Sequence, residues 1–175
     1  MVIGIDLSLT GTGLIYINKK GDYTEKLIRS KPPKVKTPTT EIIRIIGIRN
    51  EIVDSIIIKK VEIAAIEGIS YMSRNSTSTA QLSGLNYMVR EMLINNNIPF
   101  VIVAPTSLKK FVTGKGNCGK DIMMLETYKR WEVSITNDNI CDAFGLAKIS
   151  GALIGEGGKL TKKQEEVINL LKTQL

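Results

Sequence analysis

Residues 1–18, MVIGIDLSLTGTGLIYIN, decide how the rest of the chain reads. Val2, Ile3, Ile5 and Leu7 predict a short buried strand, and Leu14, Ile15, Tyr16 and Ile17 a second one after a tight Thr-Gly-Thr-Gly turn. Asp6 interrupts the first strand. A carboxylate among apolar neighbours is costly unless a cation, a metal or several donors compensate it.

Three readings of Asp6 stand side by side at this point. It can cap the Gly11–Gly13 turn through backbone N–H groups. It can open a phosphate loop of the sugar kinase and actin-like ATPase kind. It can also be the first-strand carboxylate of a metal-binding nuclease site of the ribonuclease H type. The stretch alone leaves all three open.

Composition narrows the chemistry. The chain has 175 residues, enough for one domain with a substantial core and short for two. Histidine is absent, which removes His-based triads, zinc sites of the HExxH kind and histidine general bases. Cys118 and Cys141 form no CxxC pair, so neither a disulfide scaffold nor a cysteine zinc site is indicated. With 24 Lys plus Arg against 17 Asp plus Glu the net charge is +7, which suits a polyanionic partner such as nucleic acid. No run is apolar enough to span a membrane and no signal-peptide pattern opens the chain, so the expectation is a cytoplasmic protein.

Beyond the first hairpin, residues 23–30 predict a third strand, antiparallel to the second, and residues 31–40 a Pro-rich basic connection. Thr39 or Thr40 is the expected cap of a helix running to about Lys59. Residues 61–66 (VEIAAI) form a strand that leads straight into Glu67, a second carboxylate at the end of an apolar strand. A helix follows over 80–96, whose Leu82, Leu85, Val89 and Met92 stripe either packs on the sheet or meets a second subunit. Residues 98–105 predict a fifth strand and Thr106 a short helix.

Residues 113–120, TGKGNCGK, look like a phosphate loop but lack the hydroxyl of GxxxxGK[ST], since Asp121 follows Lys120. The glycines instead suit a loop whose Lys115 and Lys120 reach a phosphate backbone. A helix over 121–131 is expected to bury Met124, Tyr128 and Trp131, and one over 138–153 carries Asp142. Asp138 and Asp142 stand i,i+4, and Asn139 and Asp142 i,i+3, so either pair can share a helix face. Residues 160–175 close the chain as an amphipathic helix.

At GIDLSLTGTG, AIEG, LKKFVTGKGNCGK and DNICDAFGLA the sequence resembles the RuvC-type Holliday-junction resolvases of the ribonuclease H-like superfamily. The resemblance runs over nearly the whole chain. It implies an α/β, ribonuclease H-like fold with a five-stranded mixed sheet flanked by helices. Residues 1–155 would be the nuclease domain and 156–175 a C-terminal helix of the same domain. Asp6, Glu67 and Asp142 would hold Mg²⁺, or Mn²⁺ in its place, as two ions per site. Asp138 or Asn139 would assist them, with the acid preferred because a second negative charge binds Mg²⁺ better than an amide does. Lys120 would be catalytic, and Lys109, Lys110, Lys115, Lys120, Tyr71 and Arg74 would touch DNA. The implied substrate is a four-way DNA junction and the implied assembly a homodimer, with the 80–96 helix at its interface. Other ribonuclease H-like nucleases, acting on forks, flaps or RNA/DNA hybrid, and a non-catalytic junction-binding module are the alternatives.

Overall fold

The computed structural model describes residues 1–69 and 76–175. In chain order the elements are β1 (Val2–Asp6), β2 (Gly11–Ile17), β3 (Tyr23–Arg29), α1 (Pro38–Lys59), β4 (Ile63–Glu67), α2 (Ser76–Asn95), β5 (Phe100–Val103), α3 (Pro105–Thr113), α4 (Lys120–Trp131), α5 (Asp138–Leu153) and α6 (Lys162–Lys172). The sheet order is β3-β2-β1-β4-β5. The first three strands form an antiparallel meander, while β4 and β5 run parallel to β1. The expected five-stranded mixed sheet is therefore present, with β1 at its centre.

Side chains alternate across this sheet with the two-residue period of a strand. Ile3, Ile5, Leu14, Tyr16, Ala64 and Ile66 face a core shared with α1 and α2. Val2, Ile15, Ile17, Ile63, Ala65, Val101 and Val103 face a second core, filled by α3, α5 and α6. The same alternation puts Asp6, which follows Val2 and Gly4, and Glu67, which follows Ile63 and Ala65, on the α5 side.

Several boundaries differ from the sequence reading, each for a local reason. Gly11, Thr12 and Gly13 lie within β2, and the reversal falls at residues 7–10. Hydroxyls build that turn: Ser8 Oγ accepts from the N–H of Thr10 and of Gly11 at 3.3 Å, and Thr12 Oγ1 donates to Ser8 O at 2.8 Å. Ser8, rather than Asp6, is thus the residue that satisfies the turn amides. Helix α1 starts two or three residues earlier than expected. Thr37 caps it by accepting from Thr40 N at 3.1 Å while Thr40 Oγ1 accepts from Thr37 N at 2.9 Å, and Pro38 fills the first position, where no N–H is needed. In α4 the buried positions are Met123 and Thr127. Tyr128, expected in the core, is 56% exposed, and Met124 and Trp131 pack against the core only partly buried.

At the outer edge of the sheet, Ile102 N donates to Gln174 Oε1 at 2.8 Å and Gln174 Nε2 donates to Ile102 O at 3.1 Å. The side-chain amide pairs with β5 as a neighbouring strand would, which blunts an otherwise open edge. Val167, Ile168 and Leu171 of α6 enter the α5-side core. Among the described residues no helix is long and apolar enough to cross a membrane.

Candidate active site

Strand pairing brings the first two carboxylates together. β1 and β4 are parallel neighbours in the register Ile5 against Ile66, so Asp6 comes level with Glu67 at the carboxyl ends of both strands. Helix α5 supplies the third. It lies directly on β1 and β2 because glycine stands at the crossing points. A Cβ on Gly4 would collide with the backbone of Ala143 and Ala147, and one on Gly13 with the backbone of Asn139. Asn139 Nδ2 donates to Gly11 O at 2.6 Å and Ser150 Oγ to Ile3 O at 2.8 Å, which fixes the helix along the strands. With α5 so placed, Asp142 reaches over the end of β1. One oxygen each from Asp6, Glu67 and Asp142 lies within 4.8 Å of the others, the one such acidic group among the described residues.

Two further devices hold the rim. The Arg44 guanidinium donates to Leu9 O, and to Ser30 Oγ at 3.0 Å, tying the turn after Asp6 to the end of β3. On the other side, Gly68 N donates to Val103 O at 2.8 Å and continues the β4–β5 pairing past Glu67.

Electrostatically the cluster is under-compensated. Asp6 is 6% exposed. Burial first, then the Glu67 charge and the hydrogen bond between the two carboxyls, raise Asp6 far above the carboxylate range. Burial likewise raises Glu67, against the lowering effect of its hydrogen bond to Asp6 and of Lys109. The pair retains a proton at neutral pH. Asp142 is pushed up to about 7, by burial first and then by the Glu67 charge, with Lys109 and Lys120 opposing. Three oxygen-only side chains that resist ionising unless positive charge joins them are a fit for a hard divalent cation. The cluster can therefore hold a metal ion.

The remaining residues singled out in the sequence fall into different places. Lys109 on α3 acts electrostatically on both Glu67 and Asp142. Lys120, the first residue of α4, pairs with Asp138 Oδ2, and the hydrogen bond to Asp138 is the main cause that raises its own pKa. Asp138 is outside the group of three, and Asn139 uses its amide N–H on β2. Lys110 is turned away toward α6, where it pairs with Glu166 at 2.6 Å. Lys115 is exposed on the loop between α3 and α4. Tyr71 and Arg74 lie outside the described residues. Gly4 and Gly13 build the site without belonging to any site motif of the sequence, and the signal they do carry is that of a glycine inside a strand, which marks close backbone approach.

An antiparallel three-strand meander continued by two parallel strands, with a carboxylate at the end of the first strand facing two more, defines a ribonuclease H-like fold carrying a nuclease-type acidic site. The comparisons with known proteins agree. The family model for the crossover junction endodeoxyribonuclease RuvC matches residues 2–150, and the chain belongs to the RuvC family. Among solved structures, RuvC of Thermus thermophilus in complex with Holliday junction substrate is similar at a TM-score of 0.69 and 18% identity, over 89% of this chain and 96% of that one. The yeast mitochondrial Holliday junction resolvase is similar at 0.51 and 13% identity, over 99% of this chain and 84% of its own. The fowlpox virus resolvase, solved with Holliday junction DNA, is similar at 0.50 and 12% identity, over 84% and 95%. No curated protein matches the chain in sequence.

Proposed function

We propose that this chain is a metal-dependent endonuclease that cuts four-way DNA junctions at the Asp6, Glu67 and Asp142 cluster. The observation that carries the reading is the convergence of three mutually repelling carboxylates, Asp6 buried and Glu67 and Asp142 half-buried, in a chain of the crossover junction endodeoxyribonuclease RuvC family. Asp6, Glu67 and Asp142 would hold divalent ions, Mg²⁺ or Mn²⁺ on the chemistry of an oxygen-only donor set. Such ions supply the Lewis acidity and water activation that phosphodiester hydrolysis needs at neutral pH.

The chain's own groups do the rest. Lys109 lies near enough to the cluster to lower Glu67 and Asp142, and so faces the place where a phosphate would meet the acids. Lys120 stands at the N-terminus of α4 with its ammonium held by Asp138; exchanging that carboxylate for a DNA phosphate would deliver its charge to the substrate. Asp138 then acts as the holder of Lys120 in the free protein and becomes available to assist the ions once the lysine moves. Lys115, exposed on the α3–α4 loop, adds a phosphate contact.

A four-way junction is close to two-fold symmetric, and symmetric nicking calls for two sites related by that axis. A homodimer meets this geometry. Helix α2 offers a face for it: Ala80, Gly84, Tyr87 and Ile94 recur at helical spacing, with Tyr87 61% and Ile94 64% exposed. The test is cleavage of a labelled synthetic junction beside linear duplex, single strand, fork and RNA/DNA hybrid. Paired symmetric nicks confined to the junction support the reading, and metal-dependent cutting of another substrate in preference to it overturns the junction assignment.

A further inference from the structure

A second cluster of cations lies away from the acidic site and has no role in the reading above. Lys148 sits on α5, six residues past Asp142 and so about 9 Å further along the helix axis. Its ammonium stands over two rings, 5.2 Å from the Phe144 centroid and 5.8 Å from that of Trp131. It lines a cavity of about 280 Å³ together with Phe111, Arg130, Trp131, Lys159 and Gln164. No carboxylate contributes to this wall. Burial is the one influence that acts on Lys148, and it pushes the ammonium toward the neutral form with no acid to offset it.

The charged side chains of the wall are all donors. Arg130 makes only a 3.9 Å contact, from Nε to Glu126, which leaves the outer edge of its guanidinium free among the described residues. Gln164 is 6% exposed, and its Oε1 already accepts from Thr161 N at 3.0 Å and Thr161 Oγ1 at 3.1 Å, so Nε2 is its remaining hydrogen-bonding group. Cation–π contact accounts for the placement of Lys148. Arg130 and Lys159, both exposed to solvent, line the same cavity, so an anion seated in it would be attracted by all three charges.

We propose that this cavity is a phosphate-binding pocket, separate from the acidic site, in which Lys148, Arg130 and Lys159 hold one phosphate group against the Trp131 wall. Guanidinium and ammonium donors in one pocket match phosphate oxygens in charge and hydrogen bonding. The phosphate comes either from the backbone of a DNA arm extending beyond the cut, which rests on the proposed function, or from a free phosphate compound.

Trp131 is the chain's one tryptophan, so its emission reports on the pocket directly. The experiment titrates the full chain, in EDTA and at matched chloride, with inorganic phosphate, with pyrophosphate and then with a four-way junction. The expected result is a saturable change in Trp131 emission with phosphate or pyrophosphate, weakened at least five-fold in Lys148→Met and in Lys159→Gln. If Lys148→Met fails to fold, Lys159→Gln, on the exposed rim, carries the comparison. A DNA source adds the same emission change on junction binding and lowers the slope of log affinity against log salt by about one in the variants. A free-phosphate source leaves that slope unchanged while the phosphate response persists. The proposal is overturned if no titrant gives a saturable change, or if both folded variants respond as the wild type does. Because the phosphate titration needs no cleavage, its outcome is independent of whether the nuclease reading holds.

Discussion

Replacing Asp6 by Asn is expected to stabilise the metal-free protein while abolishing its cutting. In the free protein Asp6 is buried beside Glu67 and Asp142, and its nearest cationic influence is Lys120, whose ammonium is already paired with Asp138. An amide of the same shape stays neutral without taking up the proton that the Asp6–Glu67 pair must bind on folding, and it can donate its N–H to Glu67. The scale follows from Asp142, which is raised from 3.8 to about 7 by burial and its acidic neighbours. At about 1.4 kcal/mol per pKa unit, one carboxylate of this cluster costs up to ~4 kcal/mol when forced to ionise, and relaxation of the site brings this to about 2 kcal/mol. For a chain of this length 1 kcal/mol moves the melting temperature by roughly 2–4 °C, so Asp6→Asn should melt ~4–8 °C higher in EDTA.

The sign of the pH dependence follows from the same shifts. Folded-state pKa values above the unfolded ones mean that the native protein holds protons the unfolded chain has lost. The stability this confers is present at acid pH and declines as pH rises from about 4 through about 7. In EDTA the wild type should therefore lose stability over that range more steeply than Asp6→Asn. Divalent ions reverse the comparison, since occupancy at a hundred times the dissociation constant adds about 2.7 kcal/mol to the wild type and little to the variant. Calorimetry with EDTA, Mg²⁺ and Mn²⁺ reads all of this. A metal-free Asp6→Asn that melts lower than wild type, or an equal metal-induced rise in both proteins, would refute the reasoning.

Other outcomes follow from the same geometry. Lys120→Ala should slow cleavage at least ten-fold while changing stability by less than about 1 kcal/mol, because the Lys120–Asp138 pair is solvent-exposed; single-turnover kinetics and melting separate the two. Gly13→Ala places a methyl against the Asn139 backbone and should cost about 1–3 kcal/mol or more by urea unfolding, with Mn²⁺ affinity reduced because α5 can no longer carry Asp142 to the strand ends. Apparent Mn²⁺ affinity should rise with pH through about 7, as the proton held by Asp142 ceases to compete; a flat profile between pH 6 and 8 would remove that carboxylate from the ion site.

The three acids were legible in the sequence because each interrupts or ends an apolar element, and a buried charge announces itself against hydrophobic neighbours. The sheet was legible for the related reason that strand runs alternate with helical periods. What escaped was anything set by the approach of one element to another. Gly11 and Gly13 read as a turn, yet they form a bare strand surface for α5, a fact that depends on a helix more than a hundred residues away. The Pro-rich segment suggested a longer loop than exists, since Pro38 is compatible with the first position of a helix as well as with its exclusion. Tyr128 satisfied a helical apolar spacing and is nonetheless exposed, because the buried side of α4 is set one residue earlier, at Met123 and Thr127. The Lys120–Asp138 and Lys110–Glu166 pairs join separate elements, so residue spacing alone carried no trace of them.

The measurement that bears most directly on the account is strand-specific cleavage of a labelled four-way junction by wild type, Asp6→Asn, Glu67→Gln and Asp142→Asn, each brought to the same bound fraction. The account predicts paired, symmetry-related nicks from the wild type that require Mg²⁺ or Mn²⁺ and vanish in EDTA. All three variants should bind the junction and leave it intact. Undiminished cutting by any one of them, or junction binding by the wild type with no cutting in either metal, would contradict the assignment of these carboxylates as the catalytic ion site.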